Sequence, residues 1–347
     1  MAESFTANAV YAKAHALYGK RLKKQNYEDL LNCRSLPELV NYLKTRTAYG
    51  STFLNTTSDI STQQIQELLR LHLIEDFEAI SRYEISAGNS FYQYFIVKND
   101  IVQILVFIRL LIIGNPDKYL ADLPPFFNKH SQLDLYKMAK SDSFGELLEA
   151  LDGTPYKELL VPFSDIYKNK GVYIRIEAAL NRYLKKYLYD VVTKGQSRRA
   201  KKEIHEIVSY KFDMDAIVSI YRLIRLADAD EELIRNCVST EFTNFSQEEI
   251  DMLIDAPKAR DMMRLMPETY YKNDFAKTEY TYLEGTAQSV LYRKVSRCMR
   301  SFTNPTAVML CFVILSENEI QNIIRIMEGI KYNIPSKKTA DILIGAE

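Results

Sequence analysis

Turn-forming residues are scarce in this sequence. Of its 347 residues only 11 are glycine and 10 are proline, about 3% each, whereas globular proteins average about 7% glycine and about 5% proline. An all-β fold needs many tight turns, which these two residues supply. The composition therefore argues against an all-β fold and favours long helices with few connections.

Cysteine and net charge are scarce as well. The four cysteines, at positions 33, 237, 298 and 311, form no Cys-x-x-Cys pair, so they predict reduced thiols and neither a zinc framework nor a dense disulfide scaffold. The 45 basic and 45 acidic residues cancel, which argues against a nucleic-acid partner.

The most apolar stretches, 101–113 and 306–315, are shorter than the roughly 20 residues of a membrane span, and the N-terminus lacks a signal-peptide pattern. We therefore expect a soluble or membrane-peripheral protein.

Signatures of catalysis are missing too. No Gly-x-x-x-x-Gly-Lys-Ser/Thr loop exists to hold phosphates, and His205-Glu206 is not followed by the second histidine of a zinc-protease helix. The four histidines, at 15, 72, 130 and 205, are widely separated. We expect no enzyme activity, no cofactor and no metal site. An enzyme whose site is assembled only by the fold remains the alternative.

Helical periodicity is what the sequence has in abundance. Apolar residues recur at steps of three and four in five segments, which begin at Ile65, Ile101, Ile174, Ile217 and Ile320. No long segment alternates with a period of two. Ser35 with Glu38, and Ser246 with Glu249, have the spacing of helix N-terminal capping boxes. The pattern predicts an all-α fold.

An internal repeat is the most informative feature. Residues 35–43 resemble residues 143–151 at an offset of 108. A short helix ending in Thr-x-Tyr then occurs three times, with its tyrosine at Tyr49, Tyr156 and Tyr271. The period is domain-sized and too long for a solenoid repeat. The sequence therefore predicts three similar helical domains, at residues 1–120, 121–235 and 236–347.

An acid and an arginine accompany each copy. The second long helix of each copy is predicted to begin near an acid and to carry an arginine, in the pairs Asp100 and Arg109, Asp213 and Arg222, and Glu319 and Arg325. We expect the three arginines to occupy equivalent places. Their predicted role is structural: each pairs with the acid of its own helix or with a neighbouring domain.

Two dense basic clusters stand out in an otherwise balanced chain. One covers residues 20–24, and the other consists of Arg198, Arg199, Lys201 and Lys202. Solvated helix ends are the ordinary interpretation of such clusters. The functional interpretation is contact with an acidic partner surface or with anionic lipid headgroups.

Three stretches resemble the C subunit of bacterial and archaeal V/A-type rotary ATPases, the homologue of the d subunit of the vacuolar ATPase. The first is Ala12 to Leu22, which departs from the family at Ala14 and His15, where valine and arginine are common. The second is Leu43 to Gly50, with its Thr-x-Tyr-Gly ending. The third contains Glu319, Asn322, Arg325, Gly329 and Pro335, with one extra apolar residue before the arginine.

The resemblance implies a funnel of three helical domains around a pseudo-threefold axis. It also implies a non-catalytic rotor subunit on the cytoplasmic face of the membrane, which receives the D and F subunits of the central stalk and rests on the proteolipid c ring. Such a subunit passes torque for proton or sodium transport. The cluster Arg198, Arg199, Lys201 and Lys202 is then a candidate for the charged rim of the stalk contact. A helical scaffold or adaptor that binds a partner helix, unrelated to ATPases, is the alternative.

Overall fold

The regular structure of this chain is helical. The computed structural model describes residues 2–56, 60–83, 88–121, 133–169, 171–226, 229–256, 258–276 and 282–346, and within these ranges it contains no strand. The prediction of an all-α fold is thus confirmed for the described residues. Their α-helices are α1 Ala2–Gly19, α2 Lys24–Leu31, α3 Leu36–Arg46, α4 Thr62–Ser81, α5 Gly88–Ile113, α6 Lys118–Ala121, α7 Leu135–Ala139, α8 Phe144–Ala150, α9 Pro155–Leu160, α10 Val172–Thr193, α11 Arg198–Leu226, α12 Glu231–Cys237, α13 Gln247–Ile254, α14 Met262–Leu265, α15 Lys272–Phe275, α16 Leu283–Ser301, α17 Pro305–Lys331 and α18 Ser336–Ala340.

Three of the short helices start in the same way. A serine hydroxyl caps each one by accepting a hydrogen bond from the backbone N–H three residues on, at 3.3 Å for Ser35 at α3, 3.3 Å for Ser143 at α8 and 3.2 Å for Ser246 at α13. The cap satisfies an amide that the first turn leaves without a helical partner. The predicted helix starts at Ser35 and Ser246 are confirmed, and Ser143 repeats them.

The chain divides into two compact units, each built from separate segments. The first unit comprises Met1–Asn89, Thr193–Asp215 and Met266–Glu347. The second unit comprises Ser90–Val192 and Ala216–Leu265. The three predicted domains, 1–120, 121–235 and 236–347, follow the sequence repeat and not these spatial units, so the three-domain division stays a prediction.

Helix α17 forms the centre of the first unit. It packs against α1, α3, α4, α16 and α18. Residues 306–315 are buried without interruption, which explains why this stretch is apolar on every side. The apolar stripe that the periodicity predicts for α4 is buried, at Ile65, Leu69 and Phe77.

By length and composition, α17 is also the one helix among the described residues that could cross a membrane. The apolar stretches of the sequence did not predict a candidate of this length. Of the most apolar part of α17, 72% is buried inside the protein. Burial against five neighbouring helices is sufficient reason for its composition.

The second unit has its own core between α5, α8, α9 and α10. Ile101, Ile104 and Ile108 of α5 are buried there with Ile176 and Leu180 of α10. The steps of three and four along α5 are those that the periodicity predicts. In α10 the buried stripe runs through Ile176 and Leu180, whereas Ile174, at which the predicted stripe begins, is only half-buried.

The three acids lie in the interior of their helices. Asp100 is in α5, Asp213 in α11 and Glu319 in α17, each more than ten residues after the first residue of the helix. The prediction that each helix begins near its acid is therefore wrong. The preceding residues contain no strong helix breaker, so each helix starts earlier than the acid suggested.

Candidate functional site

Each Thr-x-Tyr motif places its tyrosine against one of the three acids. The hydroxyl of Tyr49 donates to Glu319 Oε1 at 2.8 Å, that of Tyr156 to Asp100 Oδ2 at 3.3 Å and that of Tyr271 to Asp213 Oδ2 at 2.5 Å. All three tyrosines are buried, as are both aspartates, while Glu319 is half-buried. We call these contacts the tyrosine–acid joints.

In two of the three motifs the threonine side chain forms a turn just before the tyrosine. Thr47 Oγ1 donates to Leu43 O at 2.6 Å and accepts from the Tyr49 N–H at 3.2 Å, which ends α3 in a tight turn. Thr269 Oγ1 repeats both bonds, to Met266 O and from the Tyr271 N–H. This turn directs the tyrosine ring away from the short helix and toward the long helix that carries the acid.

The order of the joints follows the repeat. The acid of the first copy, Asp100, meets Tyr156 of the second copy, and Asp213 of the second copy meets Tyr271 of the third. Glu319 of the third copy meets Tyr49 of the first. Each acid therefore binds the tyrosine of the next copy, and the last acid binds the tyrosine of the first.

Burial controls the protonation of these groups. Burial, reinforced by the carboxylate of Glu319, raises the pKa of Tyr49, and burial raises the pKa of Tyr156 as well. Both hydroxyls therefore stay protonated and donate. Burial also raises the pKa of Glu319, although the hydrogen bonds from Tyr49 and from the Leu22 backbone N–H, at 2.7 Å, oppose the increase.

A small polar cavity adjoins Glu319 in the first unit. It has a volume of about 50 Å³, and its walls include Arg21, Tyr49, His72 and Asp76. His72 Nδ1 lies 2.9 Å from Thr52 Oγ1, and burial raises the pKa of Asp76 and lowers that of His72. The cavity has room for ordered water, but small-molecule sites usually measure about 300 Å³ or more.

The family-like stretch at the end of the chain holds three elements together. Besides the Glu319 contacts, Asn322 donates to Ile344 O at 2.8 Å and accepts from Ile344 N at 3.0 Å. Arg325 donates to Asn322 Oδ1 at 3.1 Å and to Gln288 Oε1. These side chains fasten the C-terminal segment and α16 to α17.

The three arginines have different surroundings. Arg109 is exposed, donates to the Tyr173 hydroxyl at 3.0 Å and lies over the Tyr173 ring, whereas Arg325 is half-buried among amide side chains. Arg109 and Arg222 both follow their acids by nine residues, but Arg325 follows Glu319 by six. Arg222 is exposed. The equivalence of all three arginines stays a prediction.

The basic cluster Arg198, Arg199, Lys201 and Lys202 occupies the first turn of α11. All four side chains are exposed, and Arg199 lies 3.6 Å from Glu203 one turn on. They face the positive end of the helix dipole, an arrangement that disfavours helix formation.

The described residues bring no metal site together. Within the described residues, no three or more His, Cys, Asp and Glu side chains lie close enough together to hold a metal ion. His130 lies outside the described residues.

Among the described residues the helical architecture, with three short helices capped in the same way, defines an all-α protein. Residues 10–342 of the chain match the family described as ATP synthase (C/AC39) subunit. The chain therefore belongs to this family. The resemblance to the V/A-type ATPases that the three sequence stretches predict is confirmed at the level of the family.

Two curated relatives are each named as the C subunit of an A-type ATP synthase. The protein of Methanosphaera stadtmanae is 24% identical over 212 residues, which cover 61% of this chain and 52% of the relative. The protein of Thermococcus onnurineus is 24% identical over 213 residues, which cover 61% of this chain and 55% of the relative. The chain thus spans about half the length of the curated relatives it matches.

Proposed function

We propose that this chain is the non-catalytic central-stalk subunit of a V/A-type ATPase, a socket that links the D–F stalk to the proteolipid c ring. The observation that carries the proposal is the family match over residues 10–342. In this role the chain sits on the cytoplasmic face of the membrane as a peripheral part of the complex. It passes torque for proton or sodium transport and itself binds no nucleotide and carries no ion.

The tyrosine–acid joints support three related domains around a pseudo-threefold axis. A cyclic arrangement requires each copy to contact the next by the same groups, and the last copy to contact the first. The joints at Asp100, Asp213 and Glu319 have this order. They are consistent with domain boundaries near 120 and 235.

The same joints suit the transmission of torque. A body that passes torque must not deform under load, and close-packed helices have low compressibility. A buried hydroxyl–carboxylate hydrogen bond adds a directional contact that is unfavourable to break, because the carboxylate would be left without its partner. Three such joints would hold successive copies in a fixed orientation.

The exposed cations Arg198, Arg199, Lys201 and Lys202 are the proposed partner-binding surface of the chain. Their charge suits an acidic surface, and such a contact would weaken in salt.

Reconstitution with and without this chain tests the proposal. A complex assembled without it is expected to hydrolyse ATP at the catalytic head but to pump no ions, and adding the purified chain should restore pumping. ATP hydrolysis by the pure chain, or ion pumping in its absence, would contradict the proposal. Co-purification distinguishes the scaffold alternative, because only the rotor subunit should bring down the ATPase subunits.

A further inference from the structure

The basic cluster of α11 is part of a larger surface. Lys294 of α16 pairs with Glu206 of α11, and Asn304, just after α16, donates to Gln196 Oε1, just before α11, at 3.2 Å. Asn304 lies ten residues after Lys294, whereas its partner Gln196 lies ten residues before Glu206, the partner of Lys294. The two segments therefore run antiparallel, and the end of α16 lies alongside the start of α11.

This register places two further arginines beside the cluster. Arg297 falls opposite Glu203 and Arg300 opposite Ala200. Both arginines are exposed. We call the combined surface the basic ridge; it consists of Arg198, Arg199, Lys201, Lys202, Arg297 and Arg300.

The basic ridge has little opposing charge of its own. Residues 191–202 hold five basic residues and no acid, and residues 285–316 hold four basic residues and no acid. Among the six ridge residues only Arg199 forms an ion pair with another described residue, Glu203. The chain as a whole is neutral, so this concentration of positive charge is local.

We infer that the basic ridge binds the anionic headgroup surface of a lipid bilayer. A group of four to eight Lys and Arg side chains is attracted to anionic lipid headgroups. The centre of a protein interface is usually apolar and depleted in lysine, whereas the ridge offers six cations and one half-buried aromatic residue, Phe302, in the turn after Arg300. An aromatic ring beside cations suits the boundary between headgroups and acyl chains.

The inference goes beyond the proposed link between stalk and ring. It rests on that proposal for the location of the chain beside a membrane, and it assigns to lipid headgroups the four cations Arg198, Arg199, Lys201 and Lys202 that are proposed above for an acidic partner surface. Vesicle binding by the isolated full-length chain separates the two assignments. A failure of vesicle binding would leave the reconstitution result unchanged, so the two proposals can fail separately.

Co-sedimentation with vesicles tests the inference. The chain should bind vesicles of phosphatidylcholine with about one third phosphatidylglycerol, should bind pure phosphatidylcholine vesicles much more weakly, and should dissociate as salt is raised. Each basic residue near such a surface contributes about fivefold to binding at low ionic strength. Lys201→Gln/Lys202→Gln should therefore weaken binding by at least about tenfold, and Arg297→Gln/Arg300→Gln should weaken it similarly.

A matched control separates the ridge from total charge. Lys337 and Lys338 are also consecutive exposed lysines at the start of a helix, α18, in the same unit. Lys337→Gln/Lys338→Gln should bind within about twofold of the unmodified chain, because it leaves the ridge intact. The inference is overturned if the chain shows no preference for anionic vesicles, or if the Lys201/Lys202 and Lys337/Lys338 variants lose vesicle binding equally. It is also overturned if a ridge variant keeps full vesicle binding but no longer joins ATPase subunits. The last outcome would identify a protein partner.

Discussion

The hydroxyl of Tyr49 donates to Glu319 at 2.8 Å and thereby joins residues 270 positions apart in the chain. The same carboxylate accepts the Leu22 backbone N–H through its other oxygen. Two donors from the N-terminal region thus meet one acceptor near the C-terminus. This joint differs from the other two because its acid is a half-buried glutamate, with a cavity beside it, and not a buried aspartate.

Removing each joint hydroxyl should destabilise the chain. Tyr49→Phe, Tyr156→Phe and Tyr271→Phe each keep the ring and delete the donor to a carboxylate. We expect each to lower the free energy of unfolding by about 1.5–3 kcal/mol, the range for hydrogen bonds to charged groups. Denaturant unfolding followed by circular dichroism measures the loss.

Tyr136→Phe is the control for this series. Tyr136 is 58% exposed, so loss of its hydroxyl should change stability by less than about 0.5 kcal/mol. A joint variant that matched this control would show that its hydrogen bond contributes nothing net. A double-mutant cycle of Tyr49→Phe with Glu319→Gln would then measure the coupling between the two side chains directly.

Stability should depend on pH through Glu319. Burial raises its pKa in the folded chain, so the folded state holds the proton more tightly than the unfolded state. Its contribution is therefore fully present below the ordinary glutamate pKa, about 4.3, and is lost as the pH rises through the folded pKa. Glutamine does not titrate. The loss of unfolding free energy that Glu319→Gln causes, relative to the unmodified chain, should therefore become smaller as the pH rises from about 4 to 8.

Unfolding free energies of both chains at several pH values provide the comparison. Burial also raises the pKa of Asp76 and lowers that of His72. Both groups are present in the two chains, and because the charge of Asp76 also raises the pKa of Glu319, the difference reports position 319 together with its coupling to Asp76. A difference that stays flat with pH, or that grows more unfavourable, would refute the prediction.

The helices could be predicted from the sequence, and the joints could not. Apolar steps of three and four, together with serine caps, report local structure and are visible along the chain. The pairing of Tyr49 with Glu319 depends on how distant segments meet, which no local pattern records. A partial signal does exist: Tyr156 follows Asp100 by 56 residues and Tyr271 follows Asp213 by 58.

The acids illustrate the limit of the local patterns. Asp100, Asp213 and Glu319 resemble helix-starting acids because acids favour the first turn. In the structure they lie inside α5, α11 and α17, where a tyrosine from the next copy donates a hydrogen bond to each carboxylate. Tertiary hydrogen bonding, and not the helix dipole, accounts for their positions.

Arg325 and Arg109 should differ in their effect on stability. Arg325 is half-buried and donates to the amide oxygens of Gln288 and Asn322, so Arg325→Ala should lower the free energy of unfolding by about 1–2 kcal/mol. Arg109 is exposed and contacts only Tyr173 among the described residues. Arg109→Ala should therefore change stability by less than about 1 kcal/mol. Equal losses in thermal or denaturant unfolding would contradict the difference in surroundings.

Asn322 should hold the C-terminal segment in place. Its fully buried side chain forms a two-bond ring with the backbone of Ile344, accepting from the N–H and donating to the carbonyl oxygen. Asn322→Leu keeps the number and branching of the side-chain heavy atoms but leaves the buried Ile344 N–H without its acceptor. We expect the free energy of unfolding to fall by at least about 2–3 kcal/mol, since the hydrogen bonds with Ile344 N, Ile344 O, Tyr27 and Arg325 are all lost and the buried Ile344 N–H stays unsatisfied.

Asn318 provides the matched comparison for this prediction. It donates to the same Ile344 oxygen at 2.9 Å, but Asn318→Ala leaves both Asn322 bonds intact and should lower stability by less than about 1 kcal/mol. Hydrogen exchange at the Ile344 amide distinguishes local from global effects. In Asn322→Leu this amide should exchange much faster than in Asn318→Ala, because only the former loses the acceptor. Equal exchange rates in the two variants would mean that other contacts of Ile344 hold the segment, and that the Asn322 ring does not.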